Sequence, residues 1–223
     1  MNRSFGWPEF FFIVAALRWT AALSAVAFAG GAVLGLLVAV ARSSPLAPLR
    51  WVARGYIELF QGTPVLMQLF VAYYGLAVLL NLRIDPWPAV ALALVLHTAA
   101  FLGEIWRGSI DSIPKTQWES AECLALSYPA QLRYVILPQA MRISIPATVG
   151  FLVQLIKSTA IASIIGFVEL TRAGQIIVNV TFQPMTVYPV VAALYFALCW
   201  PLSMASEFLE RRIDVRAGGL RHL

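Results

Sequence analysis

The chain has 223 residues, of which 60% are hydrophobic and only 12% are charged, and its mean hydropathy is +0.78. No ordinary soluble domain needs that much apolar surface to fill one core, so the composition excludes a soluble protein and indicates an integral membrane protein. Basic residues outnumber acidic residues by 16 to 11, but in a membrane protein the position of the positive charges matters more than their total. The net charge therefore gives no reason to expect nucleic acid binding.

Five segments of the chain are long and apolar enough to cross a bilayer, which takes about 20 residues in a helix. They predict an all-α membrane protein with transmembrane helices over residues 19–41, 56–80, 86–106, 143–165 and 187–208. Residues 1–18 are expected to form an interfacial segment before the first span, because aromatic side chains crowd there. The sequence has no long repeat or linker, so residues 1–223 are predicted to form a single transmembrane domain.

The distribution of Lys and Arg between the spans predicts the orientation of the chain. Eleven of these residues follow the first, third and fifth spans, four lie on the other side, and Lys157 lies inside a span. Because positive charge is retained in the cytoplasm, the N-terminus is expected outside and the C-terminus in the cytoplasm. The eleven are Arg42, Arg50, Arg54, Arg107, Lys115, Arg133, Arg142, Arg211, Arg212, Arg216 and Arg221, and the four are Arg3, Arg18, Arg83 and Arg172.

The second span contains a break, the stretch GTP at residues 62–64, followed by a glutamine at membrane depth. Non-helical backbone and polar side chains are tolerated at that depth only where they face protein or water. The break therefore predicts that the second span borders an aqueous or protein-lined space. The polar residues that point to this space are Glu58, Gln61, Thr63 and Gln68. His97, in the third span, is expected to be a hydrogen-bonded packing residue.

The largest segment outside the membrane is residues 107–142, on the predicted cytoplasmic side. Start signals at Ser112 and Ser127, each followed two residues later by proline, predict two short helices with a bend between them. The second helix is expected to stop at Pro138. On pattern alone, this pair could either lie against the protein's own cytoplasmic ends or present a surface to a partner.

One face of the first short helix is predicted to carry Trp118, Ala121 and Ala125, which fall at helical spacing. The two alanines would let another surface come close to the backbone. Glu119 and Glu122 flank this stripe. The pattern therefore favours a docking face, although it does not identify the partner.

The string between Glu119 and Pro138 resembles the EAA signature of the membrane subunits of binding-protein-dependent ABC importers. That signature reads Glu-Ala-Ala, three residues, Gly, nine residues, Ile, one residue, Leu-Pro. The aligned positions in this chain are Glu119, Ser120, Ala121, Ala125, Val135, Leu137 and Pro138, with departures at the second, fourth and fifth of them. Each departure exchanges one small or apolar residue for another.

Further stretches resemble the polar amino acid branch of these permeases. YIELFQGTPVLMQLF is similar to the branch pattern YVEhFRGTPhhhQhF, where h is apolar, and GEIWRGSIDSIPKTQWESA is similar to AEIxRGGIxSVPKGQxEAA. A third stretch, from Val135 to Gln175, and the closing LERRI extend the similarity to nearly the whole chain from the first span onward. The chain is identified by these motifs as a member of the family.

The resemblance implies a type I ABC importer permease in the bacterial inner membrane, with a coupling-helix pair between the third and fourth spans. The chain carries no GxxxxGK[ST] phosphate loop, so it is expected to bind no cofactor and to be no enzyme, with ATP and Mg held by a partner ATPase dimer. The other implied partners are an extracytoplasmic binding protein, a polar amino acid substrate and membrane lipid. The seven aligned positions are the implied contacts to the ATPase.

A second permease subunit, identical or homologous, is also expected, because five helices are too few to surround a path for an amino acid. Gly31 and Gly35 lie at GxxxG spacing in the first span, which permits close helix packing. This packing could occur either between two subunits or within one. The pattern does not decide between the two.

Lys157 is the most informative single residue, because a cation within a span costs a few kcal/mol unless it is paired or wetted. In one interpretation Glu104 or Glu58 is its structural partner. In the other, Lys157, Thr159 and Gln154 lie along the translocation path, where an ammonium group could attract the carboxylate of an amino acid. All residues proposed for this path are Glu58, Gln61, Thr63, Gln68, Glu104, Gln154, Lys157 and Thr159.

Glu169 lies in the predicted outer loop and could either contact the binding protein or cap a short helix. No cluster of His, Cys, Asp and Glu has catalytic or metal-binding spacing. The alternative function is a stand-alone secondary carrier or channel for amino acids. Such a carrier would need residues that couple transport to its own ions, and usually two recognisable halves. The sequence shows neither a cluster of intramembrane acidic residues nor a repeat.

Overall fold

The computed structural model of the chain is helical throughout the part that it describes. It describes residues 4–81 and 85–218, with the side chains of residues 80 and 213–218 left out. Arg3, Arg83 and Arg221 of the charge count lie outside the described residues, as does the Arg216 side chain. The helices are α1 (Trp7–Arg42), α2 (Ala47–Gly62), α3 (Val65–Phe70), α4 (Leu76–Leu80), α5 (Pro86–Asp111), α6 (Lys115–Cys123), α7 (Tyr128–Gln131), α8 (Leu137–Ser158), α9 (Leu170–Thr181) and α10 (Pro184–Gly218).

Four helical stretches are long and apolar enough to cross a membrane, namely Trp7–Arg42, Pro86–Asp111, Tyr128–Ile165 and Pro184–Arg212. A fifth span results if the bent pair Ala47–Gly62 and Val65–Leu79 is counted as one. Four of the five predicted spans fall within one of these stretches, and the second, over residues 56–80, overlaps the bent pair. The predicted all-helical membrane fold is therefore confirmed.

Helix α1 is a single helix of 36 residues, so the prediction of a separate interfacial segment over residues 1–18 is wrong. No glycine or proline interrupts the chain near Arg18, and the helix therefore continues. At about 1.5 Å per residue it is roughly 54 Å long, well beyond the ~30 Å hydrocarbon core. Its first turns are not free at the membrane surface, because Ile13 is fully buried against Leu170 and Val187.

The tightest helix contact joins α1 to α5 through glycines. A Cβ atom added to Gly31 would lie 2.3 Å from Thr98 Cγ2, and one added to Gly35 would lie 3.1 Å from the Ala99 carbonyl oxygen. Only a residue without a side chain lets the two backbones approach this closely. The GxxxG pair therefore serves packing within one chain, which decides between the two alternatives left open by the sequence.

The second predicted span is bent by 104° between Gly62 and Val65. Pro64 has no N–H to continue a helix, and the residue before a proline is pushed to an extended conformation, as Thr63 shows with φ −114° and ψ 142°. Beyond the bend, a π-helical turn over Val71–Gly75 joins α3 to α4. We refer to residues 60–68 as the elbow.

The fourth span begins earlier than predicted, because the helix does not stop at Pro138. A π-helical turn over Leu132–Ile136 connects α7 to α8, and Pro138 lies in the first turn of α8. Proline clashes with the carbonyl four residues before it in a regular α-helix, and the wider π-turn relieves this constraint. The helical stretch therefore runs from Tyr128, ahead of the predicted fourth span, into that span without a break.

Candidate coupling surface and translocation face

The segment between α5 and α8 contains the two short helices that the start signals predict, but Ser112 has a different role. Its backbone N–H donates to the Gly108 carbonyl at 3.0 Å, so it closes α5 instead of capping the next helix. Helix α6 begins after Pro114, without a side-chain cap. Ser127 lies directly before α7, as predicted, although its hydroxyl makes no capping hydrogen bond.

Helix α6 is followed, two residues after its end, by a residue in the left-handed conformation, Ala125, with φ +54°. The Leu126 N–H donates to the Ala121 carbonyl at 3.2 Å, and the Ala125 N–H donates to the Glu122 carbonyl at 2.8 Å. These two bonds form a Schellman motif, in which the left-handed position is usually glycine. The glycine of the EAA signature aligns with this position, so the motif explains that glycine by backbone conformation.

A hydrophobic cluster lies beneath α6 and joins it to the ends of three longer helices. The Trp118 ring stacks on Tyr128 with centroids 6.0 Å apart, and the Tyr128 hydroxyl donates to the Ser43 carbonyl at 2.7 Å. A displacement of α6 would therefore be transmitted to α1, α5 and α8 through packed side chains. The buried members of the cluster are Ile110, Ile113, Leu132, Ile136 and Ala140.

The predicted contacts to the ATPase divide into exposed and buried residues. Glu119, Ser120, Ala125 and Pro138 are exposed, and Val135 and Leu137 are half-buried. Ala121 is only 2% exposed, so it packs inward and is not available to a partner, contrary to the prediction. The predicted docking stripe fails for a geometric reason: Trp118 faces the cluster beneath α6, Ala121 is buried, and Ala125 lies beyond the helix end.

The exposed side of α6 instead carries charged and polar residues beside one apolar side chain. Leu124, directly after the helix, is 74% exposed. Leu124 was missed in the sequence analysis. Only its exposed position at the end of α6 distinguishes it from the leucines of the core. The other exposed residues of α6 are Lys115, Thr116, Gln117, Glu119, Ser120, Glu122 and Cys123.

Helix α8 has one continuous exposed face, which we call the open face. Its members recur every three or four residues and are Ile143, Ala147, Gly150, Gln154 and Lys157. Two of the predicted path residues, Gln154 and Lys157, lie on this face. Thr159 does not, because it is fully buried and its hydroxyl donates to the Ile156 carbonyl at 2.7 Å.

The carboxylates proposed as structural partners of Lys157 are both engaged elsewhere. Glu104 bonds Arg107 with an oxygen to nitrogen distance of 2.5 Å, and Glu58 bonds Arg54 at 2.6 Å. Each pair lies within a single helix. Lys157 forms no ion pair with any of the described side chains, those of residues 4–79, 81 and 85–212. The prediction of a Glu58 or Glu104 partner is therefore wrong.

Gln68 holds the elbow together instead of facing an open path. Its amide nitrogen donates to the Phe60 carbonyl at 2.7 Å and to the Thr63 carbonyl and hydroxyl, both at 3.0 Å. Its amide oxygen lies 3.1 Å from His97 Nδ1, which gives His97 the hydrogen-bonded packing role expected for it. The side chain thus satisfies carbonyls that the bend leaves unpaired. Gln61 and Thr63 are exposed beside it.

A cavity of about 360 Å³ borders the elbow, between it and α5. Thr63 and Gln68 are polar, and the other lining residues are apolar. The second span therefore borders a space, as the break predicts, but that space is mostly apolar. The apolar lining residues are Leu59, Phe60, Met67, Val71, Ala72, Leu76, Leu92, Ala93 and Leu96.

Glu169 is fully buried and caps α9, so its carboxylate is not at the surface where a binding protein could touch it. It accepts hydrogen bonds from the backbone N–H groups of Thr171 and Arg172, both at 2.8 Å, and from the Tyr195 hydroxyl at 2.8 Å. Burial nevertheless raises the pKa of this carboxyl above its ordinary value. The capping interpretation is the one that the structure supports, and it leaves no role in docking for this side chain.

Among the described residues, no three His, Cys, Asp or Glu side chains are grouped so that they could hold a metal ion. The arrangement therefore consists of an exposed helix on a buried apolar base, an open face on α8 and a hydrogen-bonded elbow. The exposed side of α6 and the open face of α8 both present groups that the chain itself does not cover.

Residues 31–215 match the family described as binding-protein-dependent transport system inner membrane component. The L-cystine transport system permease protein TcyB of Bacillus subtilis (strain 168) is 38% identical over 209 residues, which cover 93% of this chain and 88% of that protein. The glutamine transport system permease protein GlnP of Escherichia coli (strain K12) is 35% identical, covering 94% of this chain and 96% of that protein.

A solved structure described as an amino acid ABC transporter with histidines superposes on this chain with a TM-score of 0.83 and 34% sequence identity. The superposition covers 90% of this chain and 94% of the chain in the solved structure. The chain therefore belongs to the binding-protein-dependent transport system inner membrane components, the non-catalytic permease subunits of ABC importers, in which a separate subunit hydrolyses ATP.

Proposed function

We propose that this chain is a permease subunit of an importer for a polar amino acid. With a second permease subunit, identical or homologous, it would form the path for a substrate delivered by an extracytoplasmic binding protein. The amino acid class is supported by relatives that are named for cystine and glutamine transport. A stand-alone carrier finds no support among them.

The observation that carries this proposal is the exposed helix α6 on its buried apolar base. Trp118 and Ala121 anchor the helix from below, while Glu119 and Leu124 remain exposed. An ATPase dimer that itself binds ATP and Mg would bind this exposed side of α6. Because the base contacts α1, α5 and α8, closure of the ATPase would move the spans together.

In the proposed orientation, α6 lies in the cytoplasm and the N-terminus lies outside. The arginines at the end of α1 and the start of α2 lie on the same side as α6, because Tyr128 bonds the Ser43 carbonyl. This agrees with the retention of positive charge in the cytoplasm. The resulting location is the inner membrane of a bacterium, with several membrane passes.

The substrate would pass along the open face of α8. Gln154 and Lys157 are polar residues at membrane depth that would be costly against lipid, so water or a second permease subunit is expected to cover them. An uncompensated ammonium group would attract the substrate carboxylate. The open faces of the two permease subunits would then border one path between them.

Substitution of Glu119 by lysine tests the docking of the ATPase. We expect Glu119→Lys to abolish the stimulation of ATP hydrolysis by the loaded binding protein in reconstituted transporters, while the chain still inserts and still assembles in the membrane. Glu210→Lys is the matched control, since it makes the same charge change at an exposed residue of α10. Normal uptake by Glu119→Lys would contradict the docking assignment.

A further inference from the structure

A small cleft with three arginines lies where α1 ends and α2 begins. It has a volume of about 150 Å³ and is lined by Arg42, Arg50, Trp51 and Arg54. We call it the arginine cleft. It is separate from the open face of α8 and from the exposed side of α6, and the transport function described above makes no use of it.

The arginine cleft carries excess positive charge. Arg54 bonds Glu58 at 2.6 Å, and among the carboxylates whose side chains the structure describes, none pairs with Arg42 or Arg50. Arg50 is held in place, because its Nη1 donates to the carbonyls of Ser44 at 3.0 Å and Pro45 at 2.9 Å. Like charges that the fold brings together repel one another, and an anion placed between them relieves this repulsion.

Apolar side chains that project outward surround the arginine cleft. Trp51 is 69% exposed and Val52 is 73% exposed, and Leu46 and Leu49 are exposed beside them. Arginine heads beside exposed tryptophan and aliphatic side chains, at the end of a span, are typical of a segment at the level of the lipid headgroups. An acidic protein surface would neutralise the arginines but would leave these apolar groups in water, whereas a lipid covers both.

We propose that the arginine cleft binds the phosphate group of an anionic phospholipid. The guanidinium groups of Arg42, Arg50 and Arg54 would contact the phosphate oxygens, for which planar guanidinium donors are well suited. Trp51 and Val52 would lie against the upper part of the acyl chains. Basic pockets of this kind at the ends of spans are a recognised mode of headgroup binding.

The site adjoins the coupling segment. Tyr128 bonds the Ser43 carbonyl within the same turn that supplies the Ser44 and Pro45 carbonyls to Arg50. A bound lipid would therefore brace the turn against which α7 rests. An acidic surface of the ATPase is the competing occupant, and the experiment below separates it from lipid.

The test measures lipid bound to the full chain. The purified protein in neutral detergent is mixed with equal amounts of phosphatidylglycerol and phosphatidylcholine, and the retained lipid is counted by native mass spectrometry. We expect a preference for phosphatidylglycerol that falls about 30-fold in R42Q/R54Q, since each arginine contributes roughly 1 kcal/mol and 1.4 kcal/mol is a factor of ten. Arg50 is left unchanged because it also holds the turn.

The matched control is R142Q/R211Q, which removes two exposed arginines that do not line the cleft. We expect it to keep the preference within about threefold of the unaltered chain, a change well below the effect of two arginines. Equal losses in both double variants, or no preference for phosphatidylglycerol in the unaltered chain, would overturn the proposal.

Two further measurements identify the source of the phosphate. Inorganic phosphate at millimolar concentration is expected to displace little of the lipid, and complete displacement would assign the cleft to a free anion and overturn the lipid proposal. If R42Q/R54Q keeps its lipid but loses the co-purifying ATPase, the cleft belongs to a protein contact and the proposal fails. The transport proposal is unaffected by either result, because its test depends on α6.

Discussion

The interface of α1 with α5 and the open face of α8 lie in the same membrane layer but differ in what covers them. At the first, a Cβ on Gly31 would lie 2.3 Å from Thr98 Cγ2, so no atom can be added. At the second, Gln154 and Lys157 are exposed, and a Cβ on Gly150 would be 3.5 Å from its nearest neighbour, Ser206 Oγ. The first interface is complete within one chain, whereas the second requires water or another subunit.

Two charged groups, one buried and one on the open face, show the same difference. Glu169, on the side of the molecule where α1, α9 and α10 pack, receives three hydrogen bonds from within the chain. Lys157 receives no carboxylate from the described part of the chain. A polar group whose hydrogen bonds come from within the chain belongs to the packed structure, while a charge without a partner in the described chain at membrane depth indicates function.

The largest effect on stability is expected at the α1 to α5 interface. Gly31→Ala would force a methyl group into Thr98 and the Ala99 backbone, and overpacking of this kind costs roughly 1–3 kcal/mol. Thermal unfolding of the detergent-solubilised chain measures the loss. Gly55→Ala is the control, because a Cβ at Gly55 meets nothing within 4 Å. Since alanine favours a helix over glycine by roughly 1 kcal/mol, the control should be at least as stable as the unaltered chain.

On the open face, a substitution should change transport and leave stability nearly unchanged. Lys157→Met is expected to reduce uptake in reconstituted vesicles by roughly tenfold or more, equivalent to about 1.4 kcal/mol, while the melting temperature stays close to that of the unaltered chain. Lys157→Arg keeps the charge and should retain most of the uptake. Loss of assembly in Lys157→Met would contradict the comparison, because it would make Lys157 a structural residue like those at the interface of α1 with α5.

The buried carboxyl of Glu169 predicts a pH-dependent effect. Because burial raises its pKa, the folded chain holds this proton more tightly than the unfolded chain does. This contribution to stability is present below the unfolded value near 4.5 and is lost as the pH rises through the raised pKa. Glu169→Gln resembles the protonated form, so the two proteins should melt alike near pH 4.5 and the unaltered chain should fall below the variant at higher pH.

The melting temperatures of both proteins, followed from acidic to neutral pH, give the result. Glu207→Gln is the control, since Glu207 is exposed on α10 and its removal should leave the pH dependence as it is. If Glu169→Gln is the less stable protein at neutral pH, the hydrogen bonds to the ionised carboxylate outweigh the cost of its burial.

The smallest effect is expected at the end of α6. Ala125 has φ +54°, a conformation that costs a residue with a Cβ roughly 1–2 kcal/mol and glycine far less. After the larger backbone entropy of glycine is subtracted, Ala125→Gly should stabilise the chain by about 1 kcal/mol or less, or about 2–4 °C in melting temperature. Ala147→Gly, on the open face within α8, should have the opposite sign. A lower melting temperature for Ala125→Gly would contradict the Schellman motif.

The spans and the family motifs could be predicted from the sequence because both depend on local composition and spacing. The break at Thr63-Pro64 predicted the elbow for the same reason, since proline restricts its own residue and the one before it. The stop at Pro138 was predicted wrongly by the same rule. A neighbouring π-turn accommodated that proline, and the hydrogen bonds of a π-turn are not encoded in a short pattern.

The direction in which each side chain points was harder to predict. Trp118 and Ala121 were assigned to a docking face because they fall at helical spacing, yet Trp118 packs on the cluster around Ile136 and Ala121 is buried. Glu104 and Glu58 were candidates to pair with Lys157, yet each has an arginine three or four residues away on its own helix. For the two glutamates a nearer partner was available, and helix geometry at short range prevailed over the longer contact.

The sequence by itself determined that this chain spans a membrane, where it breaks, and which family motifs it carries, because hydropathy, proline and spacing act over a few residues. Only the tertiary structure decided which surfaces the chain covers for itself. Gly31 and Gly35 could have served either one chain or two, and Glu169 could have faced either solvent or a helix end. The physical reason is that burial depends on which distant helices approach, and that approach is a property of the packed molecule.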